Sequence, residues 1–158
     1  MSPATFYYER NEAVEELAAG EDAIFESRIP FLVFAASVGF QRDHWVENHE
    51  TDGEMRWNYI SQDNRLSVIT AALAYAHTED EDAIFESDVQ INVLTSYASG
   101  GARILKREVV DEPGDNLDNL VTFLEDHRDT EDTSGRAGVL EQIEKEVSSL
   151  SPPDSTDS

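Results

Sequence analysis

Residues 97–105 read YASGGARIL, and the fold turns on whether a helix survives Gly100-Gly101. Ile91, Leu94, Tyr97 or Ala98, Gly101, and Ile104 or Leu105 recur every three to four residues, the spacing of one helical face. Each glycine costs a helix about 1 kcal/mol relative to alanine. The unbroken apolar period argues for a continuous helix nonetheless. Such a helix requires another element packed close against the glycine face. A break at Ser99-Gly100-Gly101 is the competing reading.

The most apolar segment is RIPFLVFAASVGF, residues 28–40. Ile29, Phe31, Leu32, Val33, Phe34 and Val38 surround its axis, which predicts a central, nearly buried helix. Ser27 is placed to cap its start, Pro30 fits a first turn that needs no N–H, and Gly39 reads as a left-handed stop. Upstream, ERNEAVEELAAG predicts a helix between Asn11 and Gly20 that turns Ala13, Val14, Leu17 and Ala18 inward.

Further along, SQDNRLSVITAALAYAH predicts a helix with Leu66, Ile69, Ala72, Leu73 and Ala76 on one stripe. LDNLVTFLEDH predicts another, using Leu117, Leu120, Val121 and Leu124. Around residues 44–60 the period changes to two: Met55, Trp57 and Tyr59 alternate with Arg56 and Asn58. Asp52-Gly53 is a turn signal, and Trp45 and Val46 supply a first strand. The expected architecture is mainly α: a compact helical single domain over residues 1–128 with one small β-hairpin at about 44–60. Residues 129–150 read as a flexible connection and a C-terminal helix, and 151–158 as a disordered tail.

Charge bounds the class of protein. Asp and Glu total 34 against 11 Lys and Arg, a net charge of −23, and the only lysines are Lys106 and Lys145. The acids recur between apolar segments along the chain, the pattern of a cytoplasmic protein from an extreme halophile. At molar salt the Debye length is about 3 Å, so self-repulsion is screened, and dilute buffer is expected to restore it. An acidic DNA mimic or a partner for basic proteins is the rival, and ordinary lysine usage would favour it. The absence of cysteine excludes disulfides and thiolate metal sites. The opening MSPATFYYER lacks the basic start and apolar stretch of a secretory signal, and no apolar run reaches the roughly 20 residues of a membrane span.

The heptapeptide EDAIFES occurs twice, at 21–27 and 81–87. It reads as one structural device used twice: an acidic bend, an Ile-Phe pair packed inward and a serine that begins a helix. Its carboxylates lack the alternating oxygens and central glycine of a calcium loop, so no metal site is expected. There is no phosphate loop, nucleophile elbow or H-E-x-x-H. The histidines at 44, 49, 77 and 127 are scattered and read as solvated. No catalytic residue, metal or cofactor is expected, and the chain reads as a non-enzyme.

Two places interrupt the acidity. ASGGARILKR, residues 98–107, holds Arg103, Lys106 and Arg107 and no acid. Arg42, Arg56 and Arg65 surround Trp45 and Trp57, a combination typical of interaction hot spots. Pairing of these cations with the protein's own carboxylates is the competing reading. A DNA-binding module or regulator using 103–107, and an uncharacterised nuclease or other enzyme, are the alternatives to a contact protein.

IFESRIPFLVFAASVGFQRD, EMRWNYI and IFESDVQINVLTSYASGGARIL together resemble DNA phosphorothioation-associated protein 4, over about residues 20–125. The shared pattern is an FAA-x-x-GF helix, an Arg-Trp segment and a YA-x-GG-x-x-IL helix. The resemblance implies an accessory protein encoded with Dnd modification and restriction genes, in a defence system that places sulfur in the DNA backbone. It implies larger proteins of that system as partners, with DNA reached indirectly. It supplies no catalytic residue. Arg56, Trp57, Tyr97, Gly100 and Gly101 are the positions most typical of the family, and with the low lysine content the resemblance implies a haloarchaeal member.

Overall fold

Both glycines lie within one unbroken helix, Ser87–Leu105, in which residues 93–102 are buried all round. The computed structural model describes residues 3–21 and 23–131. In chain order the elements are β1 (Thr5–Tyr8), α1 (Glu12–Val14) with a π-helical turn at Glu15–Ala19, α2 (Arg28–Gln41), and β2 (Gly53–Arg56). There follow α3 (Asn58–Ser61), α4 (Asn64–Thr78), a 3-10 turn at Glu81–Phe85, α5 (Ser87–Leu105) with a π-helical turn at Lys106–Val110, and α6 (Asn116–Glu131). The fold is mainly α with one small antiparallel strand pair, as the periodicities predict.

The backbone clusters into two compact units, Met1–Asn119 and Leu120–Ser158. Of the second, the described part is the greater portion of α6. The connection and C-terminal helix expected over 129–150 and the tail over 151–158 lie outside the described residues except at 129–131, where α6 continues to Glu131. No helix among the described residues is long and apolar enough to cross a membrane.

In the first unit the largest packing surface lies between α2 and α5. Every residue of α2 is buried or only partly exposed, as its all-round apolar pattern predicts. The glycine face of α5 is where the two helices meet. A Cβ added to Gly101 would overlap the Ala35 carbonyl oxygen, with Ala35 C at 2.6 Å and Gly39 N at 2.9 Å. A Cβ on Gly39 would overlap the Tyr97 carbonyl oxygen in the same way. The Cα hydrogens of these glycines therefore point at carbonyl oxygens of the facing helix, a close approach open only to residues this small. Gly39 accordingly does not stop α2. The helix runs on to Gln41, and Asp43 takes the left-handed conformation at φ 57°.

The strand pairing departs from the expected local hairpin. β2 pairs antiparallel with β1, in the register Phe6↔Met55 and Tyr8↔Gly53. Phe6 and Tyr8 turn inward, and the Tyr8 ring covers Gly53 so closely that any side chain there would strike it. Trp45 and Val46 form no strand, because their segment crosses α5 instead. The His44 carbonyl sits over Gly100, His44 N–H donates to Gly39 O at 2.8 Å, and Val46 N–H donates to Ser96 O at 3.2 Å. With its donors taken by helix carbonyls, this segment has no ladder to offer β2.

Asn11 caps α1, its side chain accepting from Ala13 N–H at 2.8 Å, and Ala13, Val14, Leu17 and Ala18 are buried as the spacing predicts. On α4 the buried set is Thr70, Leu73 and Ala74, rotated from the expected stripe so that Ala72 and Ala76 are exposed. The two heptapeptides adopt different structures. The first is a bend in which Phe25 packs on Phe31 and Phe34, at ring centroid distances of 5.3 and 5.4 Å. The second is a 3-10 turn whose Ile84 and Phe85 are exposed. Ser27 occupies the cap position of α2 without a side-chain cap bond, whereas Ser87 is already inside α5. One shared device is therefore not what the repeat encodes.

Candidate functional site

The basic stretch on α5 faces the acids of the N-terminal segment. Arg103 grips Glu9 in a two-point contact, Nε to Oε2 at 3.0 Å and Nη2 to Oε1 at 2.8 Å. Glu9 sits at the end of β1 with a side chain only 7% exposed, and it also accepts the Glu50 N–H at 3.1 Å. Lys106 reaches both Asp111 at 2.9 Å and Glu12 at 3.1 Å. Arg107 pairs with Glu108 at 3.2 Å, and Glu108 is held in turn by a two-point contact from Arg42 at 2.8 and 3.2 Å. All three cations of residues 103–107 thus neutralise the protein's own carboxylates.

Burial alone would raise the Glu9 carboxyl, but the Arg103 hydrogen bonds, the Glu50 N–H and the Arg103 and His49 charges outweigh it and lower its pKa below the ordinary 4.5. A carboxyl with a lowered folded-state value stabilises the fold above its unfolded value and loses that contribution as pH falls through the folded one. Because Arg103 is half exposed, the contribution is about 1 kcal/mol. Glu9→Gln is expected to remove this share of acid sensitivity. Urea midpoints compared between pH 6 and pH 3 should fall further in the wild type than in the variant.

The aromatic residues divide between core and surface. Trp57 is 5% exposed, packed edge-on against Phe6 at 6.1 Å, so it is a core residue. Tyr97 is 2% exposed and lies beneath Trp45 and His77. Trp45 stacks on the His77 ring at 4.2 Å with planes 2° apart, and the Tyr97 hydroxyl bonds His77 Nδ1 at 2.9 Å. The histidines missed as structural groups are therefore His77 and His49; His49 Nε2 meets Thr95 Oγ1 at 3.1 Å and its Nδ1 meets the Glu50 carbonyl. Their signal in the sequence is faint, since both partners lie far along the chain.

Gly101 is buried against α2 and Gly100 beneath the His44 carbonyl, so with Tyr97 and Trp57 they can support a contact surface only from behind. Arg56 is exposed on the outward face of β2, and among the described residues neither Arg56 nor Arg65 pairs with a carboxylate. A separate exposed face combines Val68 and Ala71 of α4 with Ile84 and Phe85 of the 3-10 turn, around one shallow concavity. Among the described residues no three His, Asp or Glu side chains converge so as to hold a metal ion.

A family model described as DNA sulphur modification system-associated protein 4 matches residues 8–143. No curated protein and no solved structure matches the chain.

Proposed function

This chain belongs to the DNA sulphur modification system-associated protein 4 family, and we propose that it serves that system as a non-enzymatic accessory. It acts by contact with the larger modification or restriction proteins and not by turnover. The observation that carries this reading is the internal pairing of Arg103, Lys106 and Arg107. A DNA phosphate would have to displace Glu9 from a two-point contact to reach Arg103, and phosphate attraction weakens steeply with salt. The acidity with sparse lysine supports a halophilic, cytoplasmic setting, in which contacts rely on shape and apolar burial.

Co-purification of the neighbouring gene products from a native high-salt extract tests the proposal. They are expected to come down with the wild-type chain, and deletion is expected to impair modification or restriction. No association, together with unaltered restriction after deletion, would end it. Direct DNA contact is the second reading, favoured by Arg56 and Arg65, which pair with no carboxylate among the described residues. It requires duplex binding at high salt that Arg56→Gln and Arg65→Gln both weaken.

A further inference from the structure

We propose that the face formed by Val68, Ala71, Ile84 and Phe85 binds a basic amphipathic helix of a partner protein; this rests on the accessory reading above and names the partner's chemistry. The repeated heptapeptide supplies the first argument. In its first copy Phe25 is packed against two phenylalanines of the same chain, but in the second Phe85 is 81% exposed. The same seven residues can thus pack their phenylalanine against the chain, yet at 85 it is left outside. It has neighbours of its own kind there: Val68 is 66% and Ile84 40% exposed, and both line the same concavity with Ala71. A phenylalanine this exposed beside two aliphatic side chains contributes nothing to the fold that a polar residue would not.

Charge identifies the occupant. Glu79, Asp80, Glu81, Asp82, Glu86 and Asp88 are all exposed within ten positions of Phe85, and among the described residues none has a cation partner. The sequence has no Lys or Arg from residue 66 to residue 102. Elsewhere in the same unit Glu9, Glu12, Glu15, Glu108 and Asp111 are matched by local cations. The concavity is lined by Trp57, by Ser61 of α3, and by residues of α4, the 3-10 turn and the start of α5; none of these lies in a strand, so an added strand has nothing to pair with. A helix with an apolar stripe and basic flanks satisfies both the surface and its rim.

The test uses the full chain at molar and at lower salt, with a labelled synthetic Leu/Lys amphipathic helix as probe and a Leu/Glu counterpart as control. Fluorescence anisotropy is expected to show binding of the Leu/Lys helix alone. Phe85→Ala, at an exposed position that should leave the melting curve unchanged, is expected to weaken it at least about tenfold. Glu81→Gln with Asp82→Asn should weaken it chiefly at lower salt. Equal affinity of wild type and Phe85→Ala, or equal binding of the two probes, would overturn the proposal. So would concentration-dependent self-association that Phe85→Ala abolishes, since the occupant would then be a second copy. If the neighbouring proteins co-purify with wild type and Phe85→Ala alike and the probe ignores the substitution, this surface is wrong and the accessory reading stands. If the probe result holds, no neighbour co-purifies and restriction is unaltered after deletion, the surface stands and the accessory reading fails.

Discussion

Gly101→Ala is expected to destabilise the protein by about 3 kcal/mol or more, against the usual gain of about 1 kcal/mol for replacing a helical glycine by alanine. The reason is what the new methyl group meets. Its nearest neighbours are the Ala35 carbonyl and the Gly39 amide, all backbone atoms of a buried helix. A flexible side chain could swing aside, but a helix backbone can only move as a body. The α2–α5 packing must therefore open along its length, leaving Leu94, Leu105 and Phe31 less tightly covered. Urea denaturation measures the loss. Asn92→Ala, on the exposed side of the same helix, serves as the control and should be neutral or slightly stabilising. A Gly101→Ala protein as stable as wild type would mean that the two backbones do not touch.

Phe31→Ala is the second large effect. Phe31 is fully buried on α2 and meets the Phe25 ring edge-on, with planes 78° apart. Removing it costs the transfer free energy of the ring, the cavity left behind and that ring contact, about 3–5 kcal/mol together. For a chain of this size the thermal midpoint should fall by about 10 °C or more. Phe25→Ala should cost less, because Phe25 is only partly buried, and Phe85→Ala should cost almost nothing. The order Phe31, Phe25, Phe85 is the measurable outcome, and equal losses at 25 and 85 would contradict the different structures of the two heptapeptides.

What could be read from the sequence was whatever repeats locally. The three- to four-residue period through Gly100-Gly101 outweighed the glycine penalty, and the need for a close neighbour followed from it. The all-round apolar character of α2 likewise announced burial. Contacts between distant residues were hidden. Asp52-Gly53 resembles a hairpin turn, but the strand that pairs with β2 is TFYY at the other end of the segment's loop, too short for its alternation to stand out. The sequence leaves open whether Arg103 is paired, because its partner Glu9 is 94 positions away. Identical heptapeptides cannot differ in local preference, so only the neighbours decide that Phe25 is covered and Phe85 is not. Gly39 misleads for a related reason. A glycine near a helix end suggests a stop, and only the facing Tyr97 carbonyl reveals that close approach is its purpose.

Where two helices touch main chain to main chain, no layer of side chains remains between them to slide or repack. The α2–α5 seam should therefore behave as a single stiff beam, indifferent to ionic strength, with its amides among the slowest in the molecule to exchange with solvent. Any give the protein needs when it meets a partner has to come from the parts hung on that beam, and the 3-10 turn carrying Phe85 is one of them.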